Sequence, residues 1–138
     1  MNALICDNVP NDLSAVHAYA VTGMVHMASS KKVQTFPAWG AERYHVALLD
    51  YGAKRHIVEC LTARGCRVTI LPNSTPAEDV ISLNPDGLVL SNGPGDPRES
   101  YSEIKQLQKL FVRRRIFGIC IGHQLVSLSL GGDIVRLK

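Results

Sequence analysis

Three stretches of this sequence hold residue types and spacings that could do covalent chemistry. The first is Gly118-Ile119-Cys120-Ile121-Gly122-His123-Gln124. A thiol between two glycines, with an apolar run before it and a helical pattern after it, has the layout of a nucleophile elbow carrying sulfur. The nucleophile must sit on a sharp strand-to-helix turn, so its neighbours must be glycines that let strand and helix approach. The helix N-terminus then points its N–H groups and positive dipole end at the sulfur and favours thiolate. The N–H of Ile121 falls where it can stabilise an oxyanion. The plainer alternative is an inert core cysteine at a strand end.

The second stretch is Ser91-Asn92-Gly93-Pro94-Gly95-Asp96-Pro97. It has few side chains, and its proline restrains the backbone. It can present the bare N–H of Gly93 beside the sulfur, so that Gly93 and Ile121 make a two-donor oxyanion hole. Without the elbow, the same residues would read as a plain loop. A phosphate cradle is excluded by the missing Lys-Ser/Thr and G-x-G-x-x-G patterns. A thiol with an oxyanion hole implies acyl transfer through a thioester. The third stretch, Asp50-Tyr51-Gly52, closes an apolar run.

Such a site also needs a base. His123 lies three residues after Cys120, but no carboxylate nearby is evident to orient it. His45 precedes the first strand, at the wrong end, and His56 falls within the first helix that follows. In elbow enzymes the base often comes late in the chain. Here the elbow is followed only by its helix and a short strand, so the base is expected to be missing.

The elements around these stretches alternate. His45 starts a regular pattern, with Val46–Asp50 as a buried strand and Ala53–Arg64 as a helix ended by Gly65. Arg67–Leu71 is a second strand. Thr75-Pro76-Ala77-Glu78 spells a capping box for a helix running to about Leu83. Asn84-Pro85-Asp86 is a turn, and Gly87–Leu90 a third strand. Ile104, Leu107, Leu110 and Phe111 mark a helix closed by Arg113-Arg114-Arg115. Ile116–Ile119 is a buried strand, Leu125, Val126 and Leu130 line the elbow helix, and Ile134–Leu137 is a last strand. This alternation predicts an α/β fold: an open, mostly parallel sheet with helices on both faces. Ligands bind beyond the carboxyl ends of such strands, where all three stretches converge. Residues 1–44 differ. A short helix capped by Asn11-Asp12 is expected, then a segment of little periodicity over Ser29–Gly40, read as a linker or the end of a preceding domain. Residues 45–138 form the main unit.

Composition bounds the function classes. The chain has 138 residues and a net charge of +3, too little to imply nucleic acid. No apolar run is long enough to span a membrane, and the first residues do not make a signal peptide. The four cysteines, Cys6, Cys60, Cys66 and Cys120, form no C-x-x-C pair, and the histidines are scattered. No metal site is expected, and a reducing, cytoplasmic setting fits.

Gly118–Gln124 resembles the nucleophile motif of class I glutamine amidotransferases. Leu90–Pro97 and Asp50-Tyr51-Gly52-Ala53-Lys54-Arg55 resemble, within that class, the small glutaminase subunits of carbamoyl-phosphate synthetases. Glutaminases of anthranilate, GMP and CTP synthases share the elbow but differ in the other two segments. The resemblance is strong over about residues 45–138 and loose over 1–44. It implies that Cys120 attacks the side-chain amide of L-glutamine, with Gly93 and Ile121 as oxyanion donors. Substrate binding would fall to Gly93, Gly95, Ile121 and Gln124. It also implies a large-subunit partner that receives the ammonia and uses bicarbonate and ATP to make carbamoyl phosphate for arginine and pyrimidine synthesis. ATP and metal ions belong to that partner, and this chain is expected to hold no cofactor. His56 stands where the family usually has Asn, and Ile121 where it usually has Leu. The family's catalytic His and Glu would lie beyond Lys138, so the chain is expected to be an interior piece with weak activity. The alternative is a catalytically incomplete module that only binds the large subunit or another partner.

Overall fold

Alternation of side chains on two central strands decides the architecture. A computed structural model describes residues 3–111 and 114–135. In β2 (Tyr44–Asp50) every residue from His45 onward is buried. Ala47 and Leu49 enter one core layer while Val46 and Leu48 enter the other. β4 (Gly87–Leu90) repeats this, with Leu88 and Leu90 on the first side and Val89 on the second. A strand buried on both faces must be covered by helices on both.

Among the described residues the sheet has five strands in the order β1-β3-β2-β4-β5, where β1 is Gln34–Phe36, β3 is Cys66–Pro72 and β5 is Arg115–Gly118. β2 pairs in parallel with β3 and with β4, and β4 pairs in parallel with β5. Helix α3 (Arg55–Thr62) packs Val58 on one face. Helices α4 (Ala77–Ser82), α5 (Tyr101–Leu110) and α6 (Ile121–Ser129) pack Val80, Leu107, Leu110 and Leu125 on the other. From β2 the chain steps to β3 on one side, then crosses back to β4 on the other. The point of reversal lies between β2 and β4, where such sheets open a crevice at their carboxyl ends. Asp50-Tyr51-Gly52 and Ser91–Gly95 leave the sheet there.

Several expectations are corrected. The region over Ser29–Gly40, read as a linker or the end of a preceding domain, contributes a strand to the sheet. β1 pairs antiparallel with β3, placing Thr35 opposite Thr69. Its three residues carry no legible pattern, because all three are exposed and the strand is specified by pairing alone. Upstream, α1 (Ser14–Ala18) buries nothing, although the Asp12 carboxylate accepts from Ser14 N at 2.8 Å. In contrast, α2 (Met24–Ala28) inserts Val25 into the core beside Tyr51 and Leu90.

The capping box at Thr75–Glu78 does not form. Pro76 occupies the cap position itself, and the Thr75 hydroxyl turns back to donate to Pro72 O at 2.8 Å. The basic run does not close α5. The helix ends at Leu110, Arg114 N reaches Leu110 O at 3.2 Å, and Arg115 already belongs to β5, while Arg113 lies outside the described residues. β5 is not fully buried, since among the described residues it has a partner on one side only, and Phe117 is 65% exposed. Ile134 and Val135 form no strand; residues 136 and 137 lie outside the described residues.

Candidate active site

Cys120 sits between β5 and α6 at the helix N-cap, with φ 54° and ψ −114°. A non-glycine residue seldom adopts positive φ, and doing so costs about 1–3 kcal/mol. The flanking glycines explain how the turn is tolerated. A Cβ on Gly118 would lie 2.6 Å from His123 N, and one on Gly122 would lie 2.3 Å from Leu90 O. Both spaces are closed by backbone, so strand and helix approach only because these two positions lack side chains. The thiol is exposed. Ile121 and Gly122 behind it are buried, and Ile121 opens the helix, where a backbone N–H has no intrahelical acceptor.

The β4 exit packs against the β2 exit. A Cβ on Gly93 would fall 2.0 Å from Tyr51 O, and one on Gly52 would fall 3.1 Å from Pro94 Cδ. Buried Ser91 ties the two together: its hydroxyl accepts from Tyr51 N at 2.9 Å and donates to Asn92 O at 2.8 Å. Asn92 Nδ2 donates to Gly52 O at 3.1 Å. Asp50 organises its own turn. One oxygen accepts from Gly52 N at 2.8 Å and Ala53 N at 2.7 Å, while the other accepts from Ser30 N at 2.8 Å. The loop and the elbow join through Leu90, whose carbonyl accepts from Ile119 N at 3.0 Å. The three stretches singled out in the sequence therefore meet at one sheet edge.

Gly95 and Gln124 line one cavity of about 690 Å³ together with Asp96, Arg98 and Glu99. The cavity does not include Cys120. Another part of its wall, Tyr19, Ala20, Val21 and His17, comes from the segment before α2. Neither that wall nor Ser30 on Asp50 has a signal in the sequence, because each meets the site only through contacts between segments far apart in the chain. A Cβ on Gly95 would meet Met24 Cβ at 3.2 Å, so α2 lies directly over this loop.

The histidines are spread widely. His45 sits at the opposite end of β2, its Nε2 2.9 Å from Thr69 Oγ1. His56 engages Glu59 and Cys60 on α3. His123 is exposed, one turn into α6. Among the described residues no hydrogen bond joins Cys120 Sγ to a base. No group of three or more His, Cys, Asp or Glu among them is arranged to hold a metal ion, and no helix among them is long and apolar enough to cross a membrane. The arrangement offers a strained, exposed thiol at a helix N-terminus, with backbone donors and a neighbouring polar cavity. That equips it for attack on an acyl carbon.

Comparison with known proteins agrees with this chemistry. Residues 47–138 match the family described as "Glutamine amidotransferase class-I". The carbamoyl phosphate synthase small chain of Neisseria meningitidis serogroup B is 51% identical over 96 residues, covering 69% of this chain and 26% of that protein. The corresponding small chain of Escherichia coli O6:H1 is 52% identical over 96 residues, covering 69% and 25%. That of Syntrophotalea carbinolica is 50% identical over 99 residues, covering 72% and 26%. The chain thus spans about a quarter of the length of the curated relatives it matches. Among solved structures, a GMP synthase subunit from Thermoplasma acidophilum superposes with a TM-score of 0.54 at 27% identity, covering 63% of this chain and 45% of that one.

Proposed function

This chain belongs to the class-I glutamine amidotransferase family, and from that premise we propose that it carries the nucleophile of a glutaminase serving carbamoyl-phosphate synthesis. The observation that carries the reading is the elbow, with Cys120 at φ 54° between two glycines whose missing side chains make room for the turn. Cys120 Sγ attacks the side-chain carbonyl carbon of glutamine. A C–S bond forms, the C–N bond breaks, and the thiol proton leaves with ammonia. Water then splits the glutamyl thioester to glutamate and free thiol. The N–H groups of Gly93 and Ile121 hold the oxyanion. Gly95 and Gln124, which share one cavity, hold the glutamine. Ammonia passes to a large subunit, which supplies ATP and metal sites of its own. Residues 45–138 belong to the glutaminase unit, and residues 1–44 are a connecting segment whose β1 and α2 pack onto that unit's sheet and core. The setting is the cytoplasm.

Because no base is bonded to Cys120 among the described residues, the isolated chain should bind and be acylated more readily than it turns over. The test is covalent labelling of Cys120 by a glutamine-like chloroketone, read by intact mass, alongside ammonia release and circular dichroism. Glutamine-protected labelling with slow, Cys120-dependent ammonia release is expected. Labelling that glutamine does not protect would overturn the proposal. Fast turnover abolished by Cys120→Ser would keep the glutaminase reading and show that a local group serves as base. A second reading, a module that only binds the large subunit, is favoured by the exposed Phe117 on the open strand β5. A folded chain that captures the large subunit without being labelled would support it.

A further inference from the structure

A second nucleophilic constellation lies on α3, away from the elbow. His56, Glu59 and Cys60 occupy successive positions of one helical face. Cys60 Sγ is 3.4 Å from His56 Nε2, and His56 Nδ1 is 3.3 Å from Glu59 Oε2. The other Glu59 oxygen receives Arg55 Nε at 3.0 Å. With Nδ1–H donating to the carboxylate, the ring is held in the tautomer whose Nε2 lone pair faces the thiol. Cys60 also opens onto a cavity of about 240 Å³ lined by Ile57, Leu61, Val89, Phe117 and Ile119, with Arg64 among its lining residues. Arg64 is anchored there, its Nη1 donating to Cys60 O at 2.8 Å. Nucleophile, oriented base, apolar cavity and cation therefore share one patch.

The position of Cys60 selects the chemistry. It lies inside the helix, where backbone N–H groups are consumed by intrahelical bonds, so no donor is left to hold an oxyanion. Attack on a disulfide sulfur needs none. We infer that Cys60, with His56 as its base and Glu59 as the residue positioning that base, is a thiol–disulfide exchange site for small disulfides with an apolar, anionic body. The thiol proton passes to His56 Nε2, a new S–S bond forms to Cys60, and the old S–S bond breaks. The departing thiolate, or solvent, then recovers the proton. The apolar part rests against Phe117 and Val89, and Arg64 meets the negative charge. This inference is independent of the glutaminase reading.

The test uses the aromatic, anionic disulfide dithio-bis-nitrobenzoate on the whole chain, with each cysteine followed by peptide mass. Cys6 is exposed and serves as the internal reference. Cys60 is expected to react about tenfold faster than Cys6 at neutral pH, and His56→Asn to bring it down to the reference rate. Glu59→Gln should lower the ratio with the fold unchanged, since both side chains lie on the helix surface. With cystamine, a cationic disulfide lacking an apolar body, the preference should shrink. Equal rates at Cys60 and Cys6, or a His56→Asn variant that keeps the preference, would overturn the assignment. An undiminished preference for Cys60 with cystamine would remove the cavity and Arg64 from it.

Discussion

At the scale of single residues, glycines shape the site, and each for a separate steric reason. At Gly122 the obstacle is the Leu90 carbonyl, 2.3 Å from where a Cβ would sit, and a backbone atom cannot step aside. Gly122→Ala should therefore destabilise the chain by about 1–3 kcal/mol, measured by urea unfolding, and slow the labelling of Cys120. Gly131 is the control. It has φ +86° but open space around it, so Gly131→Ala should cost about 1–2 kcal/mol from backbone strain while leaving Cys120 reactivity unchanged. Tyr51 offers the opposite case. Its ring fills the core, but its buried hydroxyl has no hydrogen-bond partner among the described residues, and burial pushes the phenol's pKa far up. Tyr51→Phe removes an unsatisfied polar atom while keeping the packing, so chemical denaturation should find the variant as stable as the parent or more so.

At the scale of elements, the sheet is graded from centre to edge. β2 is paired on both sides and covered on both faces, whereas β1 and β5 are short and sit at the edges. Native-state hydrogen exchange should find the slowest amides in β2 and much faster exchange in β1. The β2–β3 pair also carries a pH response. Burial, helped by Arg67, holds the His45 imidazole below its usual pKa, with Glu42 and Asp86 opposing. The folded state thus favours neutral His45, while the unfolded chain takes up a proton below about pH 6.5. The stabilisation is complete above that pH and is lost as pH falls from there through the lower folded value. His45→Gln should flatten the stability profile between neutral and mildly acidic pH, as thermal melts would reveal.

At the scale of the whole molecule, one sheet face is incompletely covered. α3 lies over β2 and β3, but Phe117 on β5 stays largely exposed, and β5 has a free edge among the described residues. An exposed aromatic beside an open strand favours association. Sedimentation velocity should find concentration-dependent self-association that Phe117→Lys reduces. A monodisperse monomer across a wide concentration range would contradict this.

Local rules settled much of this protein in advance. Val46–Asp50, Gly87–Leu90 and the glycines around Cys120 were readable because burial on both faces and steric closure demand particular residue types in adjacent positions. The parallel order followed from the alternation of strands and helices. Only the tertiary structure could decide the rest. β1 exists because β3 offers it a partner, and α2 because Val25 finds the core; neither has a signal in its own residues. Pro76 rather than Thr75 heads the helix, its carbonyl accepting from Asp79 N and Val80 N, while the Thr75 hydroxyl donates to Pro72 O. The wall of the Gln124 cavity depends on where distant segments settle. That is set by packing free energy summed over the fold, which no short window of sequence contains.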